Sequence, residues 1–340
     1  MVQLLEKEGG MQRLKILAER DVRKLITMEQ AIHCVRDAYV QLSQGKAHLP
    51  PRTSISVNSS SSVLFMPAYL AGSCALGAKI VSVFPGNPEK KLPRLHALIV
   101  MLRADTGQPE LVMDGTYLTA LRTGAASGVA TRLLARKDAC VAALIGAGVQ
   151  GRTQLEAVCT VRPVEKVWVY DRDRKNAARF VEEMNTHGDP IPRALFVAES
   201  PARAVGDADI ICTATSSSTP VFEDGNLKPG VHINSVGSFT PEMQEIPSRT
   251  VARAKIVVSL RSAALSEAGD LLIPLKEGLI TEQCIHGEIG EILTAKIPGR
   301  ESDEEITFFK SVGLAIQDMA VASFVRNAAT GKEIGTTVEL

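Results

Sequence analysis

Apolar positions along this chain change their period twice. After a short strand pattern at 14–17, Ala31, Val35, Ala38 and Leu42 recur at helical spacing. Thr27 predicts the N-cap of that helix from Met28, with Gln30 placed to return the bond, and Gly45 stops the pattern. From 52 to 113 the period falls to two, which predicts strands at 53–57, 62–66, 76–83, 95–103 and 109–113. Ala104-Asp105-Thr106-Gly107 reads as a turn, and the serine run Ser59–Ser62 as a hairpin tip. This half is mostly antiparallel. A helical segment, Thr116 to Arg136, leads into strands near 141–145, 166–170, 209–214, 231–236 and 255–259. Helical patterns at 151–160, 174–186 and 201–206 alternate with them, which predicts an open, doubly wound parallel sheet. After 300 a helical pattern runs through Phe308, Val312, Ala315, Ile316, Met319 and Phe324.

The expected class is therefore α/β: a Rossmann-type domain at 126–304, and a mostly antiparallel α+β domain from 1–125 with 305–340. A cleft between the two is the expected catalytic site.

The run ACVAALIGAGVQG at 139–151 is the most specific stretch. A buried-strand pattern ends in Gly146-Ala147-Gly148-Val149-Gln150-Gly151, and a helical pattern follows at once. Strand, G-x-G-x-x-G turn and helix together make a dinucleotide-binding fingerprint. Gly146 permits the tight turn, Gly148 lets backbone approach a pyrophosphate, and Gly151 lets helix pack close on strand. The next strand, Lys166 to Tyr170, ends in Asp171, about 25 residues past the first glycine, where an acid is expected to accept from the adenosine ribose. Asp171 favours NAD by repelling a 2′-phosphate, whereas Arg172 and Arg174 offer that phosphate a partner; NAD or NADP therefore stays open, with NAD favoured.

The chain has 340 residues, enough for two domains, and its 38 basic and 38 acidic residues balance without a long run of one sign. That gives no support to nucleic-acid binding or a polybasic membrane contact. No apolar stretch is long enough to span a bilayer. MVQLLEKEGG lacks the pattern of a signal peptide, and Met11 is an alternative start. The six cysteines show no CxxC spacing and the six histidines no HxH or HExxH, so no metal or disulfide framework is expected and a cytoplasmic setting is.

Three cations attract attention. Arg52 follows Pro50-Pro51, Lys79 interrupts the apolar strand GAKIVSVF, and Arg122 lies among small residues in DGTYLTALRTGA. An arginine can clamp a carboxylate through two parallel bonds, and a lysine beside cations has a lowered pKa.

Taken in order, KAHLPPR at 46–52, MPAYL at 66–70, AKIVSVFPGNPEKKLP at 78–93, MDGTYLTALRTGAASG at 113–128, the IGAGVQG turn, HINSVGS at 232–238 and FFKSVGLAIQDMA at 308–320 resemble the ornithine cyclodeaminase/mu-crystallin family. FPGNPEKKLP and GRESDEEITFF look especially like its archaeal alanine dehydrogenases. The family also includes ketimine and Δ1-pyrroline-2-carboxylate reductases. The resemblance implies that Arg52, Lys79 and Arg122 hold a substrate carboxylate and that Thr123 contacts the cofactor phosphate. It implies that Thr213 and Thr215 lie near the nicotinamide ribose, and that Val236 and Gly237 lie beneath the nicotinamide ring. It also implies a homodimer joined through the antiparallel halves.

One position departs from the cyclodeaminases. Phe239 stands where their catalytic aspartate follows V-G-x, and a phenylalanine neither accepts a proton nor pairs with an ammonium. A loop shifted by one would bring Glu242 or a neighbour into that role. The expected activity is NAD(P)H-dependent reduction of a cyclic imino acid such as Δ1-pyrroline-2-carboxylate to proline, on a small imino- or amino-acid substrate. The alternatives are alanine dehydrogenase, ornithine cyclodeaminase, and a dinucleotide-dependent ligand carrier of the mu-crystallin kind.

Overall fold

Alternating apolar positions build the first sheet because each inward residue finds an apolar neighbour directly across. The computed structural model describes residues 13–340; Met11 and the MVQLLEKEGG stretch lie outside the described residues. Strands β1 (Arg13–Leu17), β2 (Ala47–His48), β3 (Thr53–Ser56), β4 (Ser62–Leu70), β5 (Ala75–Val83), β6 (Leu95–Leu102) and β7 (Pro109–Asp114) form this sheet with the C-terminal strand Thr336–Glu339. Its order is Thr336–Glu339, β1, β7, β6, β5, β4, β2, with β3 on β4, and only the β1–β7 pair is parallel. The inward residues Met66, Ala68, Val81, Ile99, Met101, Leu111 and Met113 are buried, and Lys79 is buried among them.

Helices α1 (Glu19–Leu25) and α2 (Met28–Ser43) lie between β1 and β2, and α3 (Thr116–Leu134) follows β7; α2 and α3 match the helical segments that the sequence predicts, and α1 is additional to them. Thr27 caps α2 as expected: its hydroxyl accepts from Gln30 N at 3.3 Å, and Gln30 Oε1 accepts from Thr27 N at 2.9 Å. Helix α3 is buried over most of its length and joins the two halves of the molecule. It packs on α2 on one side and on α4 (Val149–Val161) on the other. The approach to α4 is close enough that a Cβ at Gly124 would lie 2.3 Å from Thr153 O.

The second sheet holds β8 (Val141–Ile145), β9 (Lys166–Tyr170), β10 (Ala194–Val197), β11 (Ile210–Thr213), β12 (His232–Ser235), β13 (Lys255–Val258), β14 (Ile285–Glu288) and β15 (Thr307–Lys310). All its pairs are parallel, in the order β10, β9, β8, β11, β12, β15, β13, β14. The order reverses at β8, with β9 on one side and β11 on the other, so a crevice opens at the strand ends there. The connecting helices are α4, α5 (Arg174–Met184), α6 (Pro201–Val205), α7 (Ser248–Arg253), α8 (Arg261–Glu267), α9 (Gly269–Lys276) and α10 (Ile289–Leu293). Helix α11 (Ala315–Ala328) then packs on β4 and β5, and β16 (Thr336–Glu339) closes the first sheet.

Two expectations need correction. The helical pattern after 300 does not include Phe308: residues 307–310 are β15, inserted between β12 and β13, and the helix starts at Ala315. Residue 304 therefore does not end the parallel sheet. Both faces of β15 are covered, so its four residues are buried without alternation and their spacing to Val312 and Ala315 imitates a helix. None of the described helices is long and apolar enough to cross a membrane, and the six cysteines are free thiols. No group of three or more His, Cys, Asp or Glu side chains among the described residues has a metal-binding arrangement.

Candidate active site

Lys79 faces inward from β5 because it occupies the buried side of a strict alternation, between Met66 on β4 and Ile99 on β6. A buried ammonium there needs a partner, and α11 supplies it. Lys79 Nζ lies 2.8 Å from Asp318 Oδ2, and the other oxygen of Asp318 accepts from Arg122 Nε of α3 at 2.9 Å. Both cations and the carboxylate are almost fully buried. Arg122 Nη1 donates to Gln317 Oε1 at 2.9 Å, and Gln317 Nε2 donates to the buried Tyr39 hydroxyl at 2.5 Å. Two of the three guanidinium nitrogens are thereby bound to side chains of α11.

Arg52 approaches from the loop before β3 and pairs with Glu267 at the end of α8, with a longer contact to Val312 O at 3.5 Å. The fold thus collects the three cations Arg52, Lys79 and Arg122 from separate elements. Sequence pattern alone does not single out Asp318 or Glu267, although Asp318 lies inside the FFKSVGLAIQDMA motif. Burial, reinforced by repulsion from Arg122 and Arg52, lowers the Lys79 pKa to about 8 against the opposing pull of Asp318. Burial and Arg122 also lower the Arg52 pKa.

The glycine turn forms at the end of β8 as its spacing requires. Gly146 has φ +102°, and a Cβ there would meet Ala214 O at 2.5 Å; one at Gly151 would meet Gly146 O at 2.4 Å. A Cβ at Gly148 would stand in open space. Protein neighbours do not exclude a side chain at Gly148, so the room above it fits the close approach of a pyrophosphate. Gly148 also begins α4 without a side-chain cap, and Val149 and Gln150 form its first turn, two residues earlier than expected. Val149 is exposed, whereas Gln150 Oε1 is buried with no hydrogen-bond partner among the described residues. These uncommitted groups suit a dinucleotide. Asp171 ends β9 and holds the turn in place: Oδ2 accepts from Ala147 N at 2.8 Å and Oδ1 from Asp173 N at 2.9 Å. Arg172 and Arg174 are exposed beside it.

The tips of β11 and β12 contain an acid absent from the sequence reading. Glu245 is fully buried and accepts from Thr213 Oγ1 at 3.0 Å, Thr215 N at 2.6 Å, Thr215 Oγ1 at 2.8 Å and Gly237 N at 2.7 Å. Thr213 is itself fully buried, so its hydroxyl serves Glu245 and not an open cleft. Val236 N donates to Thr213 O at 3.1 Å. Thr123 is buried on α3, with its hydroxyl donated to Thr119 O at 2.7 Å. Burial and the neighbouring Asp270 push the Glu245 carboxyl above the usual range, while Lys310 opposes them. Phe239 follows on an exposed loop, and Glu242 is exposed as well.

Similarity to known proteins extends over nearly the whole chain. The profile of the ornithine cyclodeaminase/mu-crystallin family matches residues 13–333. A Delta(1)-pyrroline-2-carboxylate reductase of Bacillus cereus is 40% identical over 326 residues, covering 95% of this chain and 99% of the relative. An alanine dehydrogenase of Archaeoglobus fulgidus is 38% identical over 324 residues, 95% of this chain and 98% of its own length. Among solved structures, Thermococcus litoralis Delta(1)-pyrroline-2-carboxylate reductase in complex with NADH and L-proline is 45% identical. It superposes with a TM-score of 0.92 over 95% of this chain and 100% of that one.

Proposed function

The chain belongs to the ornithine cyclodeaminase/mu-crystallin family and is a nicotinamide-dependent oxidoreductase, and we propose that it reduces Δ1-pyrroline-2-carboxylate to L-proline with NADH. The observation that carries this reading is the sealed cluster of Lys79, Arg122 and Asp318, a carboxylate clamp joined to a lysine poised to release a proton. When bound, the cofactor supplies the hydride that reduces the imine carbon. Arg122 orients the substrate carboxylate through Nη2, and Arg52 closes on it from the other side of the cleft. Lys79 hydrogen-bonds the substrate and delivers the proton that completes the amine. Three cations against Asp318 and Glu267 leave one positive charge, which suits a monocarboxylate.

The two sheets divide the work in this reading. The first, with α2, α3 and α11, binds substrate, and the parallel sheet binds NAD, with Asp171 disfavouring a 2′-phosphate. The outer face of the first sheet carries the cross-strand rows Phe65-Ile80-Leu98 and Tyr69-Leu76-Leu102, an apolar surface suited to a second copy of the chain. Sedimentation velocity tests that dimer, which a monomer at micromolar concentration would exclude.

Alanine dehydrogenase is the second reading, supported by the full-length similarity to the Archaeoglobus fulgidus protein and by a clamp that does not depend on a substrate ring. Cyclodeaminase activity is disfavoured because exposed Phe239 offers no carboxylate for a distal ammonium. Comparing kcat/KM with NADH for pyrroline-2-carboxylate, piperideine-2-carboxylate, and pyruvate with ammonia separates these readings. The proposal expects the five-membered imino acid to lead, and a preference for pyruvate with ammonia would replace it with the second reading.

A further inference from the structure

We propose that Glu245 is a positioning residue for the nicotinamide end of the cofactor, acting by tying the tips of β11 and β12 to each other. This rests on the reading that those tips border the dinucleotide crevice. The ladder between the two strands ends at the Thr213–Ser235 pair, with one more bond from Val236 N to Thr213 O at 3.1 Å. Beyond it, Thr215 N and Gly237 N have no strand partner in each other, yet both are turned inward. Glu245 takes one on each oxygen, Thr215 N at 2.6 Å on Oε1 and Gly237 N at 2.7 Å on Oε2. It therefore continues the sheet by one carboxylate where backbone pairing has stopped, and its width sets the separation of the two tips.

The fit is tight. A Cβ at Gly237 would lie 2.2 Å from Thr215 O and 2.5 Å from Glu245 Oε1. Glu245 is anchored in turn, since its own N donates to Asp270 Oδ1 at 2.7 Å. Asp270 Oδ2 accepts from Ser235 Oγ at 2.6 Å and from Lys310 Nζ at 3.2 Å, so β15, the next strand, is held in the same network. All four side chains are fully buried. Only a carboxylate offers acceptors on both sides and no donor. A glutamine would point its amide N–H groups at one of two obligate N–H donors and release that tip.

The test compares ligands that share the adenosine half. Calorimetric titration of purified wild-type and Glu245→Gln proteins with NADH and with ADP-ribose reads the nicotinamide contribution directly. The account expects Glu245→Gln to weaken NADH by about ten-fold or more, the scale of one charge-assisted hydrogen bond, with ADP-ribose changed by less than about two-fold. Equal weakening of both ligands, or no change in NADH affinity, overturns the proposal. Should Glu245→Gln not fold, Ser235→Ala removes the hydroxyl that donates to Asp270 Oδ2 and lies 3.2 Å from Glu245 Oε2, and is expected to shift the NADH to ADP-ribose affinity ratio in the same direction; an unchanged ratio overturns it too. A wild type that binds ADP-ribose but gains no affinity from the nicotinamide half would instead overturn the reading of the crevice, and the proposal with it.

Discussion

Asp318 holds Lys79 at 2.8 Å in an almost fully buried site, and the same carboxylate binds Arg122 at 2.9 Å. One acid thus compensates two buried cations and fixes the position of each relative to the other. Asp318→Asn removes the only carboxylate in that contact. Breaking a buried pair from one side costs about 3–5 kcal/mol, because a charge stays buried without its partner. The expected result is a lower denaturation midpoint and a smaller kcat, with the Lys79 pKa displaced to lower pH. A variant with wild-type stability and pH profile would contradict this role.

If Lys79 is the proton donor proposed above, the reaction depends on pH in a defined direction. Its folded-state pKa is about 8, below the ordinary 10.5, so its proton is present at neutral pH and lost as pH rises through about 8. In the proposed mechanism reduction uses that proton, so its rate is expected to fall above about pH 8 and the reverse oxidation, which uses the neutral amine, to rise. Lys79→Met is expected to lose about 10²–10⁴-fold in kcat and to lose this limb of the profile. A limb that persists in the variant would assign the titration to another group.

Gly124 gives a stability test of the α3–α4 contact. Glycine to alanine inside a helix ordinarily stabilises by up to about 1 kcal/mol. Here the added Cβ would lie 2.3 Å from Thr153 O and 2.6 Å from Thr153 C, both backbone atoms. Gly124→Ala is expected to destabilise by about 1–3 kcal/mol in denaturant unfolding. A gain in stability would show that the helices can separate without penalty.

Asp171 governs the choice of cofactor in this account. Its two oxygens already brace Ala147 N and Asp173 N, and its charge faces the expected position of the ribose. Asp171→Ser should raise the ratio of NADPH to NADH efficiency, with NADH efficiency falling because the glycine turn loses a brace. An unchanged ratio in steady-state kinetics would place the ribose elsewhere.

The parts of the site legible in the sequence were those with local signals. The glycine turn, the strand ending in Asp171 and the apolar strand that Lys79 interrupts all lie within short windows. Asp318 and Glu245 carry no such signal. Each is one acid among many until the fold buries it beside cations or backbone donors from other elements. The resemblance implies that Thr213 lies near the nicotinamide ribose, and in the fold its hydroxyl donates to the fully buried Glu245, a partner that no local pattern announces. Strand β15 was missed for a related reason: a strand buried on both faces loses the alternation by which strands are recognised.

The central claim is tested most directly by product stoichiometry. Purified protein with NADH and Δ1-pyrroline-2-carboxylate is expected to form one L-proline per NADH oxidised, and to release no ammonia from L-ornithine with NAD⁺. Absence of proline from the imino acid, together with efficient conversion of ornithine to proline, would contradict the account and give the cyclodeaminase role to an acid other than the one replaced by Phe239.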